Sequence, residues 1–140
     1  MARSWMVAVV LSAVIAYAAV CADAALVSNS TTGMTFGSIQ AAIDDVTTLA
    51  GHTILIGPDT YFETVMLSKA VTLDSIAGPG TTIIDATGLG GPVVSISAGA
   101  TLNGFTLTGA GGTTTNVGGV LIDTTTVATV SNNVIVDNHP

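Results

Sequence analysis

Positive charge is almost missing from this sequence. Arg3 and Lys69 are the only basic residues other than two histidines, and nine acids leave a net charge of −7 over 140 residues. A surface this poor in cations cannot neutralise phosphates, which excludes nucleic-acid binding, and it offers anionic lipid nothing to dock on. The acids run from Asp23 to Asp137 without a cluster, the pattern of a solubilising surface. Cysteine occurs once, as Cys21, so no intrachain disulfide can form. Charged residues make up only 8% of the chain and apolar residues 49%. That balance excludes disorder, which needs the reverse, and leaves too few Lys, Glu and Arg to coat ordinary helices. What fills the gap is Thr, Ser, Asn, Gly and Val. Thr and Val favour strands while Gly and Asn favour tight turns, so the composition predicts an all-β protein.

The one long uncharged run lies at the N-terminus. Arg3 gives a short basic start, an Ala/Val-rich stretch continues to Ala22, and Ala22-Asp23-Ala24 sets small residues at the two positions a signal peptidase reads. Residues 1–24 are therefore expected to be a signal peptide cut after Ala24, making the protein secreted or cell-surface, with no membrane contact once it is removed. The alternative is an N-terminal membrane anchor, for which the run has about the minimum length but many weakly hydrophobic alanines. Val20 is a poor match to the small residue that precedes a lipidated cysteine.

Residues 25–35 read as a polar lead-in. Over 36–51, Ile39, Ala42, Ile43, Val46 and Leu49 recur at the helical period, Ser38 can cap the start and Gly51 can end it. From His52 the period changes to two. Short apolar segments follow at His52–Ile56, Glu63–Leu67, Ala70–Leu73, Thr81–Asp85, Pro92–Ser97, Thr101–Leu102, Phe105–Leu107, Val120–Ile122, Val127–Val130 and Val134–Val136, each bounded by Gly, Asn, Asp, Ser or Pro. These blocks echo one another. Leu102 matches Val130; Gly104, Phe105, Leu107 and Gly109 match Asn133, Val134, Val136 and Asn138; Val94 and Ile96 match Val120 and Ile122. Further back, Val71 and Leu73 align with Val94 and Ile96, and with Ile54 and Ile56. Strand units that repeat at unequal intervals with no helix between them predict a parallel β-helix, each coil stacking on the next. The helix over 36–51 then covers the first coil, and 52–140 forms the coils. The last block stops in mid-pattern at Asn138-His139-Pro140, so the coils are expected to be incomplete and the open C-terminal coil able to self-associate.

FGSIQAAIDDV, TILIGPDTYFETVMLSKAVTLDS and TTIIDA together resemble the opening of right-handed parallel β-helix proteins of the pectin-lyase-like superfamily. Pectinesterases begin similarly. The matching residues are Phe36, Ile39, Gln40, Ala42, Ile43, Tyr61, Glu63, Lys69, Val71, Thr72, Leu73, Ile84 and Asp85, and Asp59-Thr60 replaces the usual Gly-Thr. The resemblance covers Phe36 to Asn138. It implies a right-handed, single-stranded solenoid with an N-terminal capping helix. It does not choose among the lyases, hydrolases, esterases and non-catalytic surface proteins that share the fold.

The residues themselves argue against catalysis. A lyase of this type needs a strong base with a carboxylate-held cation, yet nothing after Arg3 is an arginine, and Lys69 lies in the structural opening motif. An esterase-like site needs paired Asp, oxyanion-stabilising Gln and Arg, and Gln40 is the sole glutamine. Asp123 and Asp137 each follow an apolar strand and could share a face, but they occupy unlike positions of the repeat, and turn formation accounts for them. Tyr61 and Glu63 are expected to brace the first coils. His52 and His139 are too far apart for a transition-metal site, and Ca2+ through Asp74, Asp85 or Asp123 lacks an Asp-rich loop, so no metal or cofactor is expected. Asn103, Asn132, Asn133 and Asn138 suit corners, where amides can bond the stacked neighbour, although sugar recognition by the same amides stays open. Asn29-Ser30-Thr31 fits an N-glycosylation acceptor. Thr106, Thr108 and Thr124 to Thr126 do not keep the constant period of an ice-binding face.

No catalytic, substrate-binding or metal site is therefore assigned. The expected function is an exported, non-catalytic β-helix scaffold or carbohydrate-binding surface module, with extracellular polysaccharide as its partner. The alternative is the N-terminal part of a polysaccharide-active enzyme whose catalytic coils lie beyond Pro140.

Overall fold

The computed structural model describes residues 26–112 and 118–139. The expected signal peptide over 1–24, its anchor alternative and its cleavage site lie outside these residues. Among the described residues, regular secondary structure is almost all short strand. β1 (Val27–Asn29), β2 (Met34–Phe36) and one short helix, α1 (Ile39–Asp44), precede β3 (Thr53–Ile56), β4 (Asp59–Tyr61), β5 (Val65–Leu67), β6 (Thr72–Ser75), β7 (Thr82–Asp85) and β8 (Val94–Ile96). Then follow β9 (Thr101–Asn103), β10 (Thr106–Thr108), β11 (Val120–Ile122), β12 (Thr129–Ser131) and β13 (Val134–Ile135).

The strands fall into three sheets, ordered β12-β9-β6-β3-β1-β2 (sheet A), β13-β10-β7-β4 (sheet B) and β11-β8-β5 (sheet C). From β3 onward each successive strand joins the next sheet, and every pairing among these strands is parallel. Each turn of chain thus adds one strand per sheet, a stacking consistent with a parallel β-helix or solenoid. Only β1 breaks the sense, pairing antiparallel with both β2 and β3.

The register explains the composition. Ile54, Leu73, Leu102 and Val130 form one column through sheet A. Tyr61, Ile84, Leu107 and Ile135 form a second through sheet B, and Leu67, Ile96 and Ile122 a third through sheet C. Alternate residues point inward, as the pleat requires, and the inward set above the last coil is buried around Phe105. Most outward positions hold Thr, Ser, Asn or an apolar side chain, which suit a half-exposed strand without charge, and Asp74 and Asp85 are the acids among them.

The expected pairs Leu102–Val130, Val94–Val120 and Ile96–Ile122 are register partners. Three other expectations change. Leu73 stacks on Ile54, so aligning Val71 and Leu73 with Ile54 and Ile56 finds the right sheet but slips the register by two residues, whereas Val94 stacks on Val65, so aligning Val71 and Leu73 with Val94 and Ile96 joins strands of different faces. In sheet B the step is constant: Thr106 pairs with Val134 and Leu107 with Ile135. Gly104 and Gly109 therefore correspond to Asn132 and Asp137, not to Asn133 and Asn138, and all four have left-handed backbone, with φ of 87° and 79° against 54° and 53°. Last, the helix expected over 36–51 is confined to Ile39–Asp44. Asp45 leaves the helix at φ −52°, ψ 134°, and its carboxylate accepts from the Thr47 N–H at 2.9 Å, a local turn that competes with the next helical bond. Val46 and Leu49, which kept the helical period, are exposed as a result.

Candidate functional site

The polar residues of the opening motif converge on α1. Ser38 Oγ accepts from the Ala41 N–H at 3.1 Å, an ordinary N-cap. Beyond it, the Glu63 carboxylate accepts from both the Ile39 and the Gln40 N–H, at 3.0 and 2.9 Å, filling two donors that a helix start leaves open. Gln40 then reaches β5: its Oε1 accepts from the Met66 N–H at 2.7 Å, while its Nε2 donates to Asp44 Oδ1 at 2.9 Å and to the Met66 carbonyl at 3.4 Å. On the far side, Lys69 Nζ donates to the Asp45 and Thr48 carbonyls at 2.7 and 2.9 Å. Inside the first coil the Tyr61 hydroxyl donates to the Gly57 carbonyl at 3.0 Å. Burial, with the Asp59 and Glu63 carboxylates nearby, pushes that hydroxyl up to about 12.

These bonds latch α1 and the chain after it to the first coil, so that Ile39, Ala42 and Ile43 are fully buried. A second polar knot lies beside it. Asn29 is fully buried; its Nδ2 donates to Thr48 Oγ1 at 2.9 Å and lies 3.1 Å from His52 Nδ1, and its Oδ1 accepts from the Thr31 and Thr32 N–H groups. The amide of the glycosylation motif is thus enclosed within the fold. Sequence reading flagged Asn29 as a modification site and gave no sign that it is a core residue; its polar neighbours hide its burial.

The other candidates are scattered. Asp74 lies on sheet A, Asp85 on sheet B and Asp123 just after β11 of sheet C, while Asp137 follows β13 of sheet B. Asp123 and Asp137 therefore do not share a sheet. The Thr125 N–H and hydroxyl both bond Asp123 Oδ1, at 3.0 and 2.9 Å, and hold its carboxyl below the usual aspartate value. Among the described residues no three His, Cys, Asp or Glu side chains gather as metal ligands would. The asparagines bond their stacked neighbours. Asn103 donates to Asp74 Oδ1 at 2.6 Å and accepts from Ser131 Oγ and Asn132 Nδ2, at 3.0 and 2.8 Å, forming a ladder across three coils. Asn133 bridges the Phe105 N–H and the Leu102 carbonyl, and Asn138 the Ala110 N–H and the Leu107 carbonyl. Thr106 Oγ1 donates to the Pro79 carbonyl at 2.6 Å.

One concavity stands out. A shallow groove of about 380 Å³ crosses the outer face of sheet C, lined by Met66, Ser95, Ser97, Leu121, Asp123 and Thr124. Met66, Ser95 and Leu121 are register partners, an outward column along its floor. The groove mixes exposed apolar side chains with hydroxyls and one carboxylate, and no cation lines it. No sequence signal marked it, because it is assembled from three coils.

Over 115 residues, 81% of this chain, the sequence is 35% identical to a cell surface glycoprotein of Methanothermus fervidus. The chain spans 18% of that protein's length. No family model and no solved structure matches. Among the described residues no helix is long and apolar enough to cross a membrane.

Proposed function

We propose that this chain is a non-catalytic β-helix module of an exported, cell-surface protein, built like the opening coils of right-handed pectin-lyase-like proteins, with α1 and the β1–β2 hairpin as its cap. The observation that carries this reading is the fate of the motif residues. Glu63, Gln40, Lys69 and Tyr61, the polar groups of the opening motif, are all bonded to backbone of the first coil or of the segment around α1. The similarity to a cell surface glycoprotein supports the location. The groove on sheet C is where a polysaccharide would lie. Lacking cations, and on a chain of net charge −7, it suits a neutral glycan rather than a uronate or sulfated one.

The test has two parts. Intact producing cells are treated with protease and with an antibody to the protein; labelling and cleavage on unbroken cells are expected, and a protein protected until lysis would overturn the location. The purified protein is then applied to a glycan array and to polysaccharide-cleavage assays. Retention on neutral glycans, reduced at least tenfold by Leu121→Asp, with no cleavage, is expected. Turnover that Lys69→Met abolishes without lowering thermal stability would replace the module reading with an enzymatic one.

A further inference from the structure

Asn103 is the one asparagine in the sequence that a glycine follows. That pair carries a chemistry of its own. The backbone nitrogen of the residue after an asparagine can attack the side-chain amide carbon, and glycine, having no side chain, hinders the attack least. In the folded chain the attack is blocked from both sides. The Gly104 N–H, the nucleophile, donates to the Ser131 carbonyl at 3.2 Å, and Gly104 is buried. The amide it would attack is held by three bonds: Nδ2 donates to Asp74 Oδ1, and Oδ1 accepts from Ser131 Oγ and Asn132 Nδ2. The corner itself favours the glycine that makes the pair labile, because φ is +87° and Ser75 Cβ lies 3.2 Å from where a Cβ would stand.

We propose that Asn103 is a guarded deamidation site whose product unlatches the corner that guarded it. When the corner opens, the Gly104 nitrogen bonds to Asn103 Cγ. The Cγ–Nδ2 bond breaks, and the amide leaves as ammonia carrying the Gly104 proton. Water then opens the cyclic imide at either carbonyl, giving aspartate or isoaspartate. Neither restores the corner. Aspartate has no N–H for Asp74 and sets a second carboxylate against it, where an amide now donates at 2.6 Å. Isoaspartate lengthens the main chain by one carbon before Gly104, which carries the Gly104 N–H away from the Ser131 carbonyl. Asn103 ties β9 to β6 and β12, so a change at this one residue reaches three coils. The reaction needs only water and an open corner, and it runs one way. The modified fraction therefore records how often the corner has opened.

The experiment incubates the purified full chain at mildly alkaline pH, folded in buffer and unfolded in guanidinium chloride. The mass and isoaspartate content of the peptide spanning Asn103 are followed. Amide loss is expected to be at least about a hundredfold slower in the folded chain. Asp74→Ala, which frees Nδ2, is expected to raise the folded rate about tenfold at a temperature where circular dichroism shows it folded, with no change in the unfolded rate. Equal rates in the folded and unfolded chains would overturn the guard, and an intact amide in the unfolded chain would overturn the site. The second measurement is the thermal midpoint. Asn103→Asp should lower it by about 5 °C, and adding Asp74→Asn, which exchanges the amide and the carboxylate, should restore most of the loss. An Asn103→Asp chain as stable as wild type would overturn the unlatching. So would a double variant no more stable than Asn103→Asp; if the single variant fails to fold, folding of the double variant supports the exchange and its failure overturns it.

Discussion

Replacing Glu63 with alanine removes both acceptors at the start of α1. The Ile39 and Gln40 N–H groups lose a charged partner, and Ile39 is fully buried, so water reaches its amide poorly. A hydrogen bond to a charged group contributes about 1.5–3 kcal/mol, and a lost helix cap costs about 0.5–2 kcal/mol. Glu63 is half-buried and solvent recovers part of the loss, which places Glu63→Ala at about 2–3 kcal/mol. At about 4 °C per kcal/mol for a domain of this size, the midpoint should fall by about 8–12 °C. Glu63→Gln keeps one acceptor oxygen and forfeits the charge, so it should fall between wild type and alanine. Thermal unfolding followed by far-UV circular dichroism measures all three. Glycan retention at low temperature should be unchanged, since Glu63 does not line the groove. A drop under about 2 °C for the alanine variant would refute the latch, because two filled helix-start donors cannot be worth so little.

Tyr61 should titrate near 12 in an ultraviolet absorbance titration, the transition being absent from Tyr61→Phe. Because its folded value is raised above the ordinary 10.0, its contribution to stability is complete below pH 10 and is lost as the pH climbs toward 12. Asp123 has the opposite sign: its stabilising contribution is present above the ordinary value of 3.8 and fades as the pH drops through its lowered one. Carboxyl chemical shifts should show that depression, and Thr125→Ala should move the titration back up. Gly109→Ala should cost about 2–4 kcal/mol, measured by denaturant unfolding, because φ is +79° and a Cβ would press on Asp85 and Thr87. Asn29 should carry no glycan when the protein is exported from a glycosylating host, as read by intact mass. Asn29→Ala should cost about 2 kcal/mol by leaving Thr48 and the Thr31 and Thr32 amides short of partners.

The columns were legible wherever apolar residues alternate cleanly, as in Leu102 with Val130 and Ile96 with Ile122. They were lost where chemistry broke the alternation. β4 has a single inward apolar residue, Tyr61, and directly follows Gly57-Pro58, so a turn masks a strand. In sheet B the true step puts Phe105 opposite Asn133 and Ala110 opposite Asn138, apolar against polar, and matching by hydrophobicity slides one residue to avoid it. The glycine columns carried the correct answer in another form, because Asn132 and Asp137 are the residues that tolerate the left-handed corners of Gly104 and Gly109. The end of α1 escaped detection for a similar reason: Val46 and Leu49 keep a helical period, and only the Asp45–Thr47 turn shows that the period is coincidence. The groove was invisible because Met66, Ser95 and Leu121 become neighbours only after the coils stack.

The Asn133 and Asn138 substitutions bear on why so few charges suffice. An amide in place of Phe105 or Ala110 would be costly if its polar atoms were left without partners. Here each amide turns back to the coil above, with Oδ1 taking an N–H and Nδ2 giving to a carbonyl, so it finishes backbone groups that its own coil's strands do not reach. Ser75 bonds Thr82, Asn103 bonds Asp74 and Asn29 bonds Thr48 side chain to side chain, and among the described residues no buried side-chain polar atom lacks a partner. In a stack of parallel coils the amides of an inner strand find their partners on the coils to either side, and neutral side chains complete the corners. Ion pairs are then not needed to close the fold, and the architecture permits a surface nearly free of lysine and arginine. A chain nearly without positive charge can close this fold because its polar groups are paired from coil to coil, and the ammonium of Lys69 is placed where the Asp45 and Thr48 carbonyls, outside any strand, accept from it.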